Sequence, residues 1–302
     1  MNSIKNVFTI KDLENLSGIK AHTIRIWEKR YSILQPLRSE SNIRHYDVAS
    51  LQRILNISTL NSFGYKISVL AKVPENEIPK MVKEVLGVKS LAGHVVNNFK
   101  LAMMNFDRQL FMSTYDSLIH KKPFRDIFYE CFVPLLEEIG TLWQTDTITP
   151  AHEHFISYLI RQKIATETEK LPQKEDRGNR TYVLYLPQDE IHELGLMFIN
   201  YELQANGYKS VYLGESVPIS NISELKNYFS NITFVTYMTV APSADAVNAY
   251  IKEIREKALN DDTSELIIFG RNTQYIQSSS LNSKITLYSA INDFTEKLYL
   301  SE

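Results

Sequence analysis

One of the chain's seven histidines stands among carboxylates, in the run Asp189-Glu190-Ile-His192-Glu193-Leu-Gly195. Imidazole is a good ligand for a transition metal such as cobalt, and a carboxylate at its second nitrogen fixes the tautomer and raises its basicity. The competing reading is a plain surface histidine at a helix start. A second cluster joins Trp143, a polar turn at 144–149 and the pair Glu153-His154. An aromatic and an ionisable pair at one end of a helical region suit the lid of a small-ligand site. His152 and His154 project about 200° apart on a helix, so they do not hold one metal from the same face. A third set is cationic. In a helical stretch at 20–30, His22, Arg25 and Lys29 fall opposite Ile24, Trp27 and Tyr31. Behind a short helix and a turn at Gly18, such a face suits a helix-turn-helix reader of the DNA major groove. The alternative is an amphipathic helix pair with a solvated basic side.

Composition narrows the classes that can hold these clusters. At 302 residues, two or three domains are expected. No run of about 18 apolar residues exists, and residues 1–16 contain no apolar core, so neither a membrane span nor a secretion signal is expected. Cys131 is the single cysteine, which excludes an intramolecular disulfide framework and a Cys-rich zinc module. The expected location is a reducing cytoplasm. Charge is unevenly divided. The first 72 residues carry eleven Lys/Arg against five Asp/Glu, a net of +6, and the other 230 carry −8. A basic head on an acidic body points to nucleic acid at the N-terminus.

The elements that must position these residues follow from local signals. Thr9 caps a helix with Asp12 in its first turn, and Gly18 ends it. After the 20–30 helix, Pro36, a Ser-Glu-Ser-Asn turn at 39–42 and β-prone flanks form a two-stranded wing. Its Arg38, Arg44 and His45 would reach phosphates or the minor groove. Asp47 caps a third helix at 48–63, ended by Gly64. Residues 93–171 read as four helices with breaks near Asp107, Pro123 and 144–149, their apolar residues at helical spacing forming a bundle core. After a polar linker at 172–180, strands at 182–186, 210–213, 232–236, 266–269 and 285–288 alternate with helices. That alternation predicts a doubly wound parallel sheet of flavodoxin-like order, which binds ligands beyond the carboxyl ends of its strands. Glu190 and His192 lie just past the first strand. No Gly-rich phosphate loop occurs there, which excludes a dinucleotide or P-loop site. The expected architecture is multidomain α plus α/β: a winged helix-turn-helix head at 1–75, a four-helix bundle cap at 76–172 and a Rossmann-like domain at 178–302.

Thr23-Ile-Arg-Ile-Trp-Glu-Lys-Arg-Tyr31, Pro36-Leu-Arg38 and Asn42-Ile-Arg-His-Tyr46 resemble the winged-helix domain of the MerR family of bacterial transcription regulators. The resemblance implies a dimeric binder of double-stranded DNA, with His22, Thr23, Arg25, Lys29, Arg30, Arg38, Arg44, His45 and Tyr46 at the DNA. Unlike classical members, this chain has no single long dimerisation helix and no Cys-bearing metal loop after that domain, so thiolate metal sensing is not expected.

Pro134-Leu-Leu-Glu-Glu-Ile-Gly140 and the spacing Trp143, nine residues, Glu153-His154 resemble the helical cap of cobalamin-binding photoreceptor repressors related to MerR, the CarH/LitR type. Glu190-x-His192-x-x-Gly195 resembles the cobalamin motif in which histidine replaces the cofactor's own lower base. The resemblance implies adenosylcobalamin, with its cobalt held by His192. Glu190, Gly195, Gly214, Thr236, Tyr237, Gly270 and Arg271 would surround it, and Trp143, Glu153 and His154 would cover the upper axial group. Two positions depart from the pattern. The family places Ser-x-Leu after the third strand, where a groove admits the nucleotide tail. Here the segment is Thr236-Tyr-Met-Thr-Val240, with either Thr236 or Tyr237 at the serine's place. The family's Gly-Gly after the fourth strand is Gly270-Arg271, and Arg271 either narrows the groove or bonds the tail phosphate.

The implied function is a non-enzymatic transcription repressor that senses adenosylcobalamin and, through it, light. It would act as a homo-oligomer, dimer or tetramer, with no membrane partner. Two alternatives stay open. One is a cobalamin-independent regulator whose C-terminal domain serves oligomerisation or an antirepressor protein. The other is a corrinoid carrier for methyl transfer, against which the DNA-binding head argues.

Overall fold

Thr9 and Asp12 cap each other. In the computed structural model, which describes residues 7–39, 42–86, 92–145 and 147–300, the Asp12 amide donates to the Thr9 hydroxyl at 3.2 Å. The Thr9 amide in turn donates to the Asp12 carboxylate at 2.8 Å. The helix so started, α1 (Ile10–Ser17), stops at Gly18, whose φ of +73° is left-handed. There follow α2 (Ala21–Tyr31) and an antiparallel wing of β1 (Leu37–Arg38) and β2 (Arg44–His45). Then come α3 (Val48–Ser62), capped by Asp47, α4 (Ile67–Leu70) and α5 (Ile78–Leu86). This is the expected winged helix. Residues 40 and 41 of the wing turn lie outside the described residues, as do residues 1–6, on which the expected lack of a secretion signal partly rests.

The helical region holds α6 (Ala92–Asn105), α7 (Arg108–Ile119), α8 (Phe124–Ile127), α9 (Val133–Gln144) and α10 (Pro150–Glu169). Its breaks fall where the sequence puts them, and Asp107 caps α7 through the Leu110 amide. One feature was not expected: a π-helical turn, Phe128–Phe132, joins α8 to α9. Pro134 has no amide for the carbonyl four residues back, and the helix widens just before it. The core is aromatic, with Phe99 4.9 Å from Phe111 and 5.5 Å from Phe132, ring centre to ring centre. Cys131 is buried here, and burial pushes its thiol up to about 11, which makes it packing rather than chemistry.

Beyond it lie β3 (Thr181–Pro187), α11 (Leu194–Ala205), β4 (Lys209–Val217), α12 (Ile219–Glu224) and β5 (Ile232–Tyr237). The chain continues through α13 (Val247–Lys257), β6 (Glu265–Phe269), β7 (Ile285–Leu287) and α14 (Ile291–Leu300). The five strands are all parallel in the order β4-β3-β5-β6-β7, the flavodoxin-like order expected. Packed on both faces, the central strands are almost continuously apolar. Ile222 of α12 and Ile251 and Ile254 of α13 close one face over Val183, Phe234 and Ile268. Leu196 and Ile199 of α11 and Phe294 and Leu298 of α14 close the other over Leu184, Val235 and Ile267. The chain divides into two compact units, Met1–Leu159 and Ile160–Glu302. No described helix is long and apolar enough to cross a membrane.

Candidate functional site

The outer face of α2 is the cationic surface that the sequence describes. Ile24 is buried, whereas His22, Arg25, Lys29 and Arg30 are exposed and Thr23 is half-buried. Sequence reasoning missed Glu28. One of its oxygens accepts from Tyr46 Oη at 2.5 Å and the other from Arg44 Nε at 3.1 Å. The wing is thereby tied to α2. Tyr46, expected at the DNA, lies instead in the core of the head: it is 1% exposed, and its backbone pairs with Phe8. Burial and the Glu28 carboxylate both push its phenol up. Arg44 and His45 are half-buried, and Arg38 is exposed with Nη1 donating to the Asn42 side chain at 2.6 Å.

Within the same unit the head is bonded to the helical region. Lys100, 5% exposed, donates to the Leu16 carbonyl at 3.0 Å and pairs with Glu138 at 2.6 Å. Asn15 Nδ2 of α1 donates to Thr147 Oγ1 at 2.8 Å. Thr147 belongs to the turn between Trp143 and the Glu153-His154 pair, so connectivity puts all three at one end of α9 and α10. Residue 146 of that turn lies outside the described residues. Trp143 is 45% exposed, His154 is exposed and Glu153 half-buried. Tyr158, one turn past His154, is 57% exposed and was not singled out by sequence, though its i+4 spacing was a signal. His152 faces inward: it stacks on Phe106 with ring centres 4.6 Å apart and accepts from the Thr149 amide.

In the sheet unit, Glu190 is fully buried just past β3. Its Oε2 accepts the consecutive amides of Thr239, Val240 and Ala241 at 2.8, 2.7 and 2.9 Å. Its Oε1 accepts the amides of Ile191 and His192 and lies 2.5 Å from His192 Nδ1. Burial alone would raise this carboxyl, but the His192 bond and the backbone amides outweigh it and hold it at about 2. An ionised carboxylate at Nδ1 makes that nitrogen the donor, so the neutral ring carries its lone pair on Nε2. The imidazole is 41% exposed beside Ile191 and Val240, themselves 58% and 61% exposed. A metal ligand oriented by a carboxylate, on apolar ground at the carboxyl end of a parallel sheet, is what this corner offers. Next to it, Glu193 accepts from Tyr212 Oη at 2.9 Å and pairs with Arg161 at 2.6 Å; sequence missed this pair. No cluster of three or more metal-ligating side chains occurs among the described residues.

The remaining expected residues are scattered in role. Gly214 has a φ of +82° and lies within β4, opposite Tyr185, at the bulge where the register between β3 and β4 shifts. Thr236 is fully buried within β5. Tyr237, half-buried at the strand's end, lies over Gly195: a Cβ there would stand 2.7 Å from the tyrosine ring. Gly270, φ +99°, is pressed on Met238, where a Cβ would meet the carbonyl oxygen at 2.4 Å. Arg271 is exposed.

Residues 8–77 match the family model of the MerR HTH family regulatory proteins, and residues 95–166 match that of a B12 binding domain. The chain joins a MerR-type HTH domain to a B12 binding domain. It is 25% identical over 224 residues to the HTH-type transcriptional repressor CarH of Myxococcus xanthus, covering 72% of this chain and 74% of the relative. It is 26% identical over 211 residues to the HTH-type transcriptional repressor CarA of the same organism, covering 69% and 68%. The chain is homologous to both repressors. Its fold matches the monomethylamine corrinoid protein of Methanosarcina barkeri at a TM-score of 0.54 and 16% identity, over 70% of this chain and 95% of that one. The MerR-type match contains α2, the wing and Glu28. The B12-binding match contains Lys100, Trp143, Glu153 and His154.

Proposed function

We propose that the protein is a transcription repressor whose grip on its operator is set by adenosylcobalamin and, through it, by light. The observation that carries this reading is the Glu190–His192 pair. A corrin ring supplies four nitrogens to cobalt and asks the protein for one axial ligand, and an imidazole with its lone pair on Nε2 is suited to give it. The donor chemistry and the exposed Ile191 and Val240 fit the lower face of a corrin. Bound adenosylcobalamin would supply a cobalt–carbon bond that visible light breaks. In this reading His192 would hold the cobalt, Glu190 would orient the imidazole, and Trp143, Glu153 and His154 would be the helical region's contribution to the cofactor's light-sensitive side. His22, Thr23, Arg25, Lys29, Arg30, Arg38, Arg44 and His45 meet the DNA, and Tyr46 holds the wing that carries three of them. The domains in this reading are 1–75, 76–172 and 178–302, and the active form is a homo-oligomer in the cytoplasm.

Such a switch requires that the dark form of the ligand favour the DNA-competent state over the free one. The test mixes the full chain with adenosylcobalamin in the dark and follows absorption and operator gel shift before and after illumination. A red complex that bleaches in light and then releases DNA is expected. A colourless protein with an unaltered gel shift overturns the reading. It would leave in front the cobalamin-independent regulator, which the tyrosine ring over Gly195 favours.

A further inference from the structure

In the family that the chain resembles, a groove past the third strand admits the nucleotide tail; here that strand is β5, which ends beside Gly195 of α11 and Gly270 after β6. Gly195 opens that way by having no side chain, but the room is already taken. An ideal Cβ on Gly195 would lie 2.7 Å from Tyr237 Cε2, 3.1 Å from Cζ and 3.2 Å from Cδ2, so one edge of the ring fills the space a side chain would need. Behind Tyr237 the filling continues. Its ring stacks on Phe269 at 6.1 Å and 9°, and Phe269 stacks on Tyr288 at 5.4 Å and 15°. Phe294 of α14 stands edge-on to both, at 5.6 and 5.5 Å. The second glycine offers no room either. Gly270 is in contact with the backbone of Met238, at 2.4 Å from its oxygen and 2.7 Å from its nitrogen for a built Cβ. Its missing side chain serves the crossing of two loops of this chain. Thr236 is turned into the core, fully buried.

The ground around His192 is different. Ile191 and Val240 are exposed, and the imidazole is open by 41%. The chain thus presents a platform for a flat ring and its metal but a closed aromatic layer where a tail would descend.

We propose that the sheet unit grips a corrinoid by the ring and the cobalt alone and leaves the lower nucleotide tail outside, so that a corrinoid lacking the nucleotide base is its tighter ligand. This rests on the reading of His192 as the axial ligand. In cobalamin the tail's own base competes with His192 for cobalt, and once displaced it finds no pocket here. In cobinamide, which has no such base, His192 replaces only water. Tyr237 is the residue that sets the preference.

The experiment titrates the full-length protein with adenosylcobinamide and with adenosylcobalamin in the dark, reading Kd from absorption. Cobinamide is expected to bind at least tenfold more tightly. Tyr237→Ala should narrow the ratio to below threefold by strengthening cobalamin, whereas Tyr237→Leu, which keeps the space filled, should preserve it. If the wild-type protein binds cobalamin as tightly as cobinamide, this inference is overturned and the proposed function stands. If neither corrinoid binds, the proposed function falls and this inference with it.

Discussion

Glu190 Oε1 lies 2.5 Å from His192 Nδ1, while its Oε2 gathers three consecutive amides from the loop after β5. One buried carboxylate therefore orients the candidate metal ligand and pins the loop that flanks it. The second task does not depend on any ligand, which separates two measurable consequences.

The first is stability. Glu190 sits at about 2 in the folded chain against an ordinary 4.5, so its bonds stabilise fully above pH 4.5 and are lost as pH falls towards 2. Glu190→Gln should lower stability near pH 7 by about 2–3 kcal/mol, because a neutral amide cannot accept from six donors. As pH falls from 4.5 to about 2, the wild type should lose urea resistance steeply while the variant changes less. Parallel pH profiles would show that the carboxylate is not the pin.

The second is ligation. His192 is partly open and bonded to Glu190 through Nδ1, so His192→Ala should leave helix content unchanged and lower stability by no more than about 1 kcal/mol. The absorption spectrum of the bound corrinoid should lose its imidazole-coordinated form. An identical spectrum in the variant removes His192 from the metal.

The head separates electrostatics from architecture. Arg25 is exposed on α2, so Arg25→Ala should weaken operator binding by about 1–3 kcal/mol and reduce the salt slope by about one. Tyr46→Phe removes a donor from Glu28, which should cost about 1–2 kcal/mol of stability. It should weaken DNA binding without changing the salt slope, because the hydroxyl faces Glu28 and not phosphate. Gel shifts across a salt series check both, and a changed slope for Tyr46→Phe would put the phenol at the DNA after all.

What was legible in the chain was mostly local. The caps at Thr9 and Asp47, the stop at Gly18 and the break near Asp107 each depend on residues within one turn, and each is where its residue type puts it. Sheet order also followed, because strands alternating with helices leave few connections open. Glu190–His192 was legible because the pair is two residues apart. Tyr237 was not: whether it or Thr236 faced the groove depended on strand register, and its contact with Gly195 spans forty-two residues. Tyr46 misled because a two-residue strand is too short to show which side is inward, and its partners Phe8 and Glu28 come from elsewhere in the head. Lys100 gave no warning, since a lysine among apolar residues reads as a solvated position until Leu16 and Glu138 are seen around it.

The last prediction concerns how the ligand end of the helical region speaks to the head. Asn15 on α1 donates to Thr147, four residues past Trp143, and Thr147 is in turn 3.0 Å from Thr145. Trp143 itself is 45% exposed. A group that covers Trp143 and is then removed would leave a gap that packed structure tolerates poorly, and a shift of Thr147 in the turn that follows would carry the change onward. Its motion would reach α1 through Asn15, and α1 packs beside the recognition helix. Trp143→Ala should therefore shrink the difference in operator affinity and in assembly mass between dark and illuminated protein, while His192 still binds the corrinoid. Asn15→Ala should leave the mass difference intact and reduce only the difference in operator affinity, since it cuts the link and not the sensor. Light scattering after size-exclusion chromatography, paired with gel shifts in dark and light, reads both. If Asn15→Ala keeps the full dark-to-light change in affinity, the signal travels by another route.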